Sequence, residues 1–199
     1  MTVHTKLYLS LAINGSIDKI IIMSSEADNK RSRIEANLIL VTLIVMKLET
    51  TINELINSVC EWKPEMFDQN FIDNFVQNEK TMCISEKYNL LANKLNALEW
   101  KLDKEPFQTF DVLISIRNEM VHYKGKWIEQ NKGPNKKITH LMNNIIKIKS
   151  QDNNLKHTHW VNELLGSENL LNWCKNVDLE IDNFLNNNIL DKFKSNTLT

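Results

Sequence analysis

The chain is poor in the residues that make turns, bridges and metal sites. Only four glycines and three prolines occur among its 199 residues, too few for a loop-rich or all-β fold, so the sparse punctuation favours helices. The three cysteines, Cys60, Cys83 and Cys174, are an odd number at wide spacings with no CxxC pair. That argues against a disulfide framework or a cysteine zinc site and leaves small buried hydrophobes in a reducing compartment as the expectation. An excess of one charge is also missing: 24 Lys and Arg against 25 Asp and Glu give a formal net charge of −1. Without a global pull toward nucleic acid or an anionic membrane, an electrostatic partner must be recruited by a local patch. Long hydrophobic runs are absent too. The richest, Leu38 to Met46, has nine residues and contains Thr42, far short of the ~20 a bilayer span requires. Leu7 to Ile13 is short and interrupted, and Asn14-Gly15 follows where a cleavage motif would stand. No signal peptide or membrane association is expected, and the chain reads as cytoplasmic.

What is present is ordinary for a globular protein. A hydrophobic fraction of 42% with 25% charged residues argues against disorder. The length suits one substantial core, and neither a repeat nor a composition shift divides residues 1–199. Asparagine is common, as in Asn186-Asn187-Asn188, and is taken as compositional drift.

Apolar periodicity predicts an all-α helical bundle around a long central helix. From about Ser32 to Val59, residues Ile34, Leu38, Val41, Val45, Leu48, Ile52, Leu55 and Val59 recur in steps of four and three, with Ser32 and Glu35 as a capping box. Between Leu38 and Met46 this helix is apolar nearly all round, so it should be packed on several sides or shared with a second subunit. A second helix is expected from about Glu79 to Leu102, carrying Ile84, Tyr88, Leu91, Leu95, Leu98 and Leu102, after a connector over Trp62 to Gln77 that packs down. A third should start at Pro106 and run to about His122. Tyr123 to Lys137 reads as an exposed loop and Ile138 to Lys149 as a short helix, with strand-like alternation at its end. Trp160 to Leu165 reads as a helical turn, and Ser167 as the cap of a final helix carrying Leu170, Cys174, Val177, Ile181 and Phe184. Near the amino terminus Asn14-Gly15 is a hairpin signal, but a helix through Gly15 is preferred because the rest is helical.

The third helix carries the chemistry. On a helical wheel Phe110, Leu113, Ile114 and Val121 form an apolar stripe with Arg117 in its middle; Asp111, Ser115, Asn118 and His122 form a second stripe beside it. An arginine on an apolar face cannot shed its charge and needs a carboxylate, a phosphate or a break in the core. One explanation is an internal ion pair, with Glu49 on the long helix, and Asn53 one turn on, as partners.

The string Ile116-Arg117-Asn118-Glu119-Met120-Val121-His122-Tyr123-Lys124-Gly125 resembles the signature of the HEPN superfamily (higher eukaryote and prokaryote nucleotide-binding domains). That signature is an arginine, usually with a polar neighbour, and a histidine four to six residues beyond it at the end of a helix. Pro106-Phe107-Gln108-Thr109-Phe110 with Leu113 is similar to the family's lead-in, and the long helix bearing Glu49 and Asn53 is similar to its packing partner. The resemblance covers about residues 32–125; residues 126–199, a basic loop and C-terminal helices, add nothing specific. It implies a helical domain, commonly dimeric, acting as a metal-independent endoribonuclease of bacterial toxin–antitoxin or anti-phage defence, with RNA as substrate, a homodimer as the working form, and an antitoxin or defence protein as a possible partner. It implies Arg117, Asn118 and His122 as catalytic residues, supported by Glu49, Asn53, Asp111, Ser115 and Tyr123. RNA supplies its own 2′-hydroxyl nucleophile, so the enzyme has protons to move and a phosphate to hold, leaving 2′,3′-cyclic phosphate and 5′-hydroxyl ends. In one branch of the family a tyrosine two residues past the histidine accepts a nucleotide; here that position is Lys124, so this regulation is not implied.

His122 stands five positions beyond Arg117, about 140° around a helix, so the two do not share a face unless the helix end unwinds, and groups from two subunits would relieve this. After the motif, Lys124, Lys126, Lys132, Lys136, Lys137, Lys147 and Lys149 face only Glu129, in a span that also holds Trp127 and His140; they suggest a phosphate-tracking, base-stacking patch, although lysine runs are usually just solvated. His157 and His159 lack a third ligand, and no glycine-rich phosphate loop or zinc-protease helix occurs, so neither metal nor cofactor is expected. The rival function is a non-catalytic helical module that binds RNA, nucleotide or a protein.

Overall fold

The computed structural model describes residues 9–62, 69–78, 81–121, 134–148 and 160–192. Among them all regular structure is helical: α1 Leu9–Ser25, α2 Lys30–Trp62, α3 Gln69–Asn78, α4 Ile84–Leu95, α5 Phe107–Val121, α6 Lys136–His140, α7 Trp160–Leu165 and α8 Glu168–Leu185. Single π-helical turns follow α6 (Leu141–Ile145) and α8 (Asn186–Leu190). No described helix is long and apolar enough to cross a membrane.

The long helix α2 is the axis, with α1, α4, α5, α7 and α8 packed on it. Leu40, Val41, Ile44, Val45, Leu48, Ile52 and Ile56 are buried along its length. Its own neighbours cover only part of the apolar belt, because Leu38, Ile39 and Met46 are exposed. The cap differs from the expected box: Asn29 Oδ1 accepts the Ser32 N–H at 2.9 Å, while Glu35 pairs with Arg31. The helix therefore starts a turn earlier than Ser32. The amino-terminal segment is helical through Gly15, and nothing crowds the space where a Cβ would sit there. α1 lies antiparallel to α2, tied near one end by Ser10 to Glu54 and near the other by Ser24 Oγ, which donates to Asn37 Oδ1. Buried Asn37 also donates to the carbonyls of Leu165 and Ser167, joining α2 to the α7–α8 turn.

The second predicted helix ends early. Asn96 adopts a left-handed conformation (φ 50°) and closes α4, as asparagine does at helix ends. Leu98 and Leu102, expected on the buried face, are exposed. Trp100 turns inward in their place: its N–H donates to Asn89 Oδ1 at 2.6 Å, and Tyr88 Oη donates to the Leu98 carbonyl at 2.8 Å. Tyr88, Trp100, Phe107, Phe110 and Phe184 form one aromatic cluster with ring centroids 5.0–6.4 Å apart, which seats the start of α5. Burial pushes the Tyr88 phenol well above its ordinary range. The expected connector over Trp62 to Gln77 contains α3, with Phe75 buried. Of the cysteines only Cys174 is fully buried; Cys60 is half-buried and Cys83 exposed, because Cys83 precedes α4, where its N–H donates to Glu86. Ser167 caps α8 as expected, accepting from the Asn169 N–H, and Leu170, Cys174, Val177, Ile181 and Phe184 are all buried.

Among the described residues two charges lie inside this apolar frame, Lys47 and Lys87. Lys47 on α2 is 3% exposed at its side chain, with Nζ 2.7 Å from Asp178 and 2.8 Å from Asp182 of α8. Removing one partner of a buried pair strands the other, so Lys47→Met should cost about 3 kcal/mol in urea unfolding, and adding Asp178→Leu should recover most of it. Burial raises the Asp178 carboxyl above its ordinary range, with Lys47 pulling it partly back and Asp182 and Asp18 pushing it up. The folded state therefore holds that proton more tightly than the unfolded one. Its contribution to stability is full below the unfolded pKa of ~3.9 and is lost as pH rises through the raised value. Asp178→Asn should abolish this part of the pH slope in unfolding titrations.

Candidate functional site

The aromatic cluster anchors the amino-terminal half of α5, and Phe107, Phe110, Leu113 and Ile116 are its buried residues. The apolar stripe therefore differs from the expected one toward its end: Ile114 is only half-buried, and Val121 is exposed because the core stops before it. Arg117 lies between, half-buried beyond Phe110 and Leu113. Its Nη1 donates to the Asn118 carboxamide oxygen at 2.9 Å, while its Nε is buried without a hydrogen-bond partner.

The internal ion pair with Glu49 does not form. Glu49 instead accepts from Lys87 of α4 at 3.2 Å, a lysine whose side chain is 5% exposed. A short, well-buried ammonium takes the carboxylate, and Arg117 has no carboxylate partner among the described residues. Asn53, one turn beyond Glu49, has its Oδ1 buried and unpaired. α2 and α5 pack together, so two facing helices carry an unmet acceptor and an unmet donor that do not meet each other. Buried polar groups of this kind cost roughly 1–3 kcal/mol each, and Arg33 Nε and Trp100 Nε1 elsewhere in the bundle share this state.

Asn118 binds Arg117 and so orients the guanidinium; it crosses from the polar stripe to the apolar one. Ser115 is half-buried on the polar stripe. Asp111, one turn nearer the amino end, pairs with Lys137 of α6. Gln108, Asp111 and Val112 of α5, with Lys136, Lys137 and His140 of α6 and Leu102, surround a cavity of about 400 Å³. Of the expected RNA-binding residues, the structure thus brings Lys136 and Lys137 to the polar stripe of α5. His122, Tyr123, Lys124, Lys126, Trp127 and Lys132 lie outside the described residues, as do His157 and His159. Gln108 and Leu102 were not singled out in sequence; the one available signal was the i, i+3, i+4 spacing of Gln108, Asp111 and Val112. No group of three or more potential metal ligands occurs among the described residues.

No family model matches the chain, and no curated protein or solved structure is detectably similar to it.

Because Arg117 is tied among the described residues to its neighbour Asn118 alone, Arg117→Met should leave stability unchanged or raise it by about 1 kcal/mol in urea unfolding. A loss of several kcal/mol would instead make the arginine a structural member of the core.

Proposed function

We propose that the chain is a metal-independent endoribonuclease of HEPN type, working as a homodimer, with Arg117, Asn118 and His122 as its catalytic residues. The observation that supports this reading is the arginine. It stands on an apolar face, Glu49 is paired with Lys87, and its hydrogen bond among the described residues goes to Asn118, with no carboxylate partner there. A permanently charged fork held this way is matched to a phosphate.

The reaction balances without water or metal. The RNA 2′-oxygen attacks the adjacent phosphorus as its proton passes to a neutral imidazole, forming the O2′–P bond. The P–O5′ bond breaks, and a protonated imidazole returns a proton to the leaving 5′-oxygen. The products are a 2′,3′-cyclic phosphate and a 5′-hydroxyl. His122, with an unperturbed pKa near ~6.5, suits both proton transfers close to neutrality. Arg117 stabilises the charge that accumulates on the phosphoryl oxygens, and Asn118 positions it. About 140° of helix separates Arg117 from His122, so a site combining Arg117 of one protomer with His122 of its partner relieves the geometry. A toxin or anti-phage setting, with an antitoxin or other defence protein as regulator, belongs to the same reading.

The test is cleavage of end-labelled RNA in EDTA, with the protein's mass followed by sedimentation. Wild type should cut and leave cyclic phosphate ends, and His122→Ala should be slowed by about 10²–10⁴-fold while remaining folded and dimeric. Folded dimers that leave a broad RNA pool intact would move the non-catalytic binding module ahead.

A further inference from the structure

The cavity between α5 and α6 is separate from the Arg117 end of α5 but lies on the helix's polar stripe. Six residues from Asp111 to Arg117 amount to about 9 Å along the axis. We propose that this cavity is a nucleotide subsite that seats one nucleotide of a single-stranded RNA beside the Arg117 motif. The assignment rests on RNA being the ligand of the proposed function.

At about 400 Å³ the cavity falls within the range of small-ligand sites, and its walls divide as a nucleotide does. Lys137 is matched by Asp111, which leaves Lys136, exposed and without a carboxylate among the described residues, as the cation for a phosphate. His140 is oriented by Asn144, whose Nδ2 lies 2.9 Å from its Nδ1, which leaves Nε2 as the ring's other polar atom for a ligand. Exposed Leu102 and half-buried Val112 offer apolar surface to a base face. The Gln108 carboxamide has both a donor and an acceptor for a base edge. Single-stranded RNA is read in this manner, by splayed bases with the backbone held by cations.

Another cationic cavity, about 520 Å³ beside Lys30, Arg33 and Lys147, is organised differently. Lys30 pairs with Glu163 at 2.6 Å and Arg33 with Glu168 at 3.0 Å. Lys147 there provides a control of equal charge.

The probe is a fluorescent, fully 2′-O-methylated single-stranded RNA of mixed sequence, which binds but lacks the nucleophile, titrated with the full chain. Gln108, Lys136 and His140 are exposed, so their replacement should leave the melting temperature unchanged. Binding should weaken about tenfold in Lys136→Ala/His140→Ala and severalfold in Gln108→Ala, with Lys147→Ala close to wild type. An oligonucleotide with abasic sites should abolish the Gln108 effect and keep the Lys136/His140 effect. Equal weakening by Lys147→Ala, no weakening by the cavity variants, or no saturable binding by wild type would overturn the subsite. Cleavage of the matching unmodified RNA keeps the two readings apart. The expected binding pattern without cleavage sinks the nuclease and leaves the subsite standing; cleavage with unchanged KM in the cavity variants does the reverse.

Discussion

An ammonium group buried against apolar helices cannot be left alone, and the arrangement of the bundle follows from how Lys47 is satisfied. Its two carboxylates, Asp178 and Asp182, stand one turn apart on α8, which sets the axial register of α8 on α2 to within a fraction of a turn. That register brings Phe184 against Phe107 and Tyr88. The rings in turn seat the start of α5, and α5 then delivers Arg117 and the polar stripe to the surface. Asn37 does the same service at the other end of α2 by binding Ser24 and the carbonyls of Leu165 and Ser167.

The helices with regular apolar spacing were legible in sequence: α2, α5 and α8 lie within a few residues of where their periodicity placed them. What escaped were features decided by side chain–backbone competition. Asn29 outcompeted Ser32 for the cap of α2. The leucine period ran on through Leu98 and Leu102, but the left-handed Asn96 ended α4 and Asn89 took hold of the Trp100 backbone. Periodicity carries no information on which of two polar residues captures a free N–H. The site was readable to the same degree. The placement of Arg117 within an apolar stripe came from spacing alone, whereas its pairing depended on Lys87, a residue on a different helix that no local pattern ties to Glu49.

The competition for Glu49 also bears on chemistry. Had the carboxylate gone to Arg117, the guanidinium would have been neutralised and fixed. With Lys87 holding Glu49, Arg117 is restrained among the described residues by the adjacent Asn118 alone, so it is preoriented without a carboxylate partner there. Unmet hydrogen-bonding capacity occurs at Asn53 and Arg117 and also at Arg33 and Trp100, so it is the missing carboxylate, and not the unpaired Nε, that distinguishes Arg117.

The asparagine run has a meaning that composition alone concealed. Asn186, Asn187 and Asn188 form most of the π-helical turn that extends α8, and Ile189 within that turn is fully buried. A wider turn accommodates one residue more than the α-helical path would, so the number of residues there matters more than their identity. Point changes at exposed Asn186 and Asn187 are absorbed at the surface, whereas Asn188 Nδ2 donates to the Phe184 carbonyl. Loss or gain of a single residue would swing Ile189 about 100° around the axis and present an amide or solvent to the core in its place, making this tract tolerant of spelling and intolerant of length.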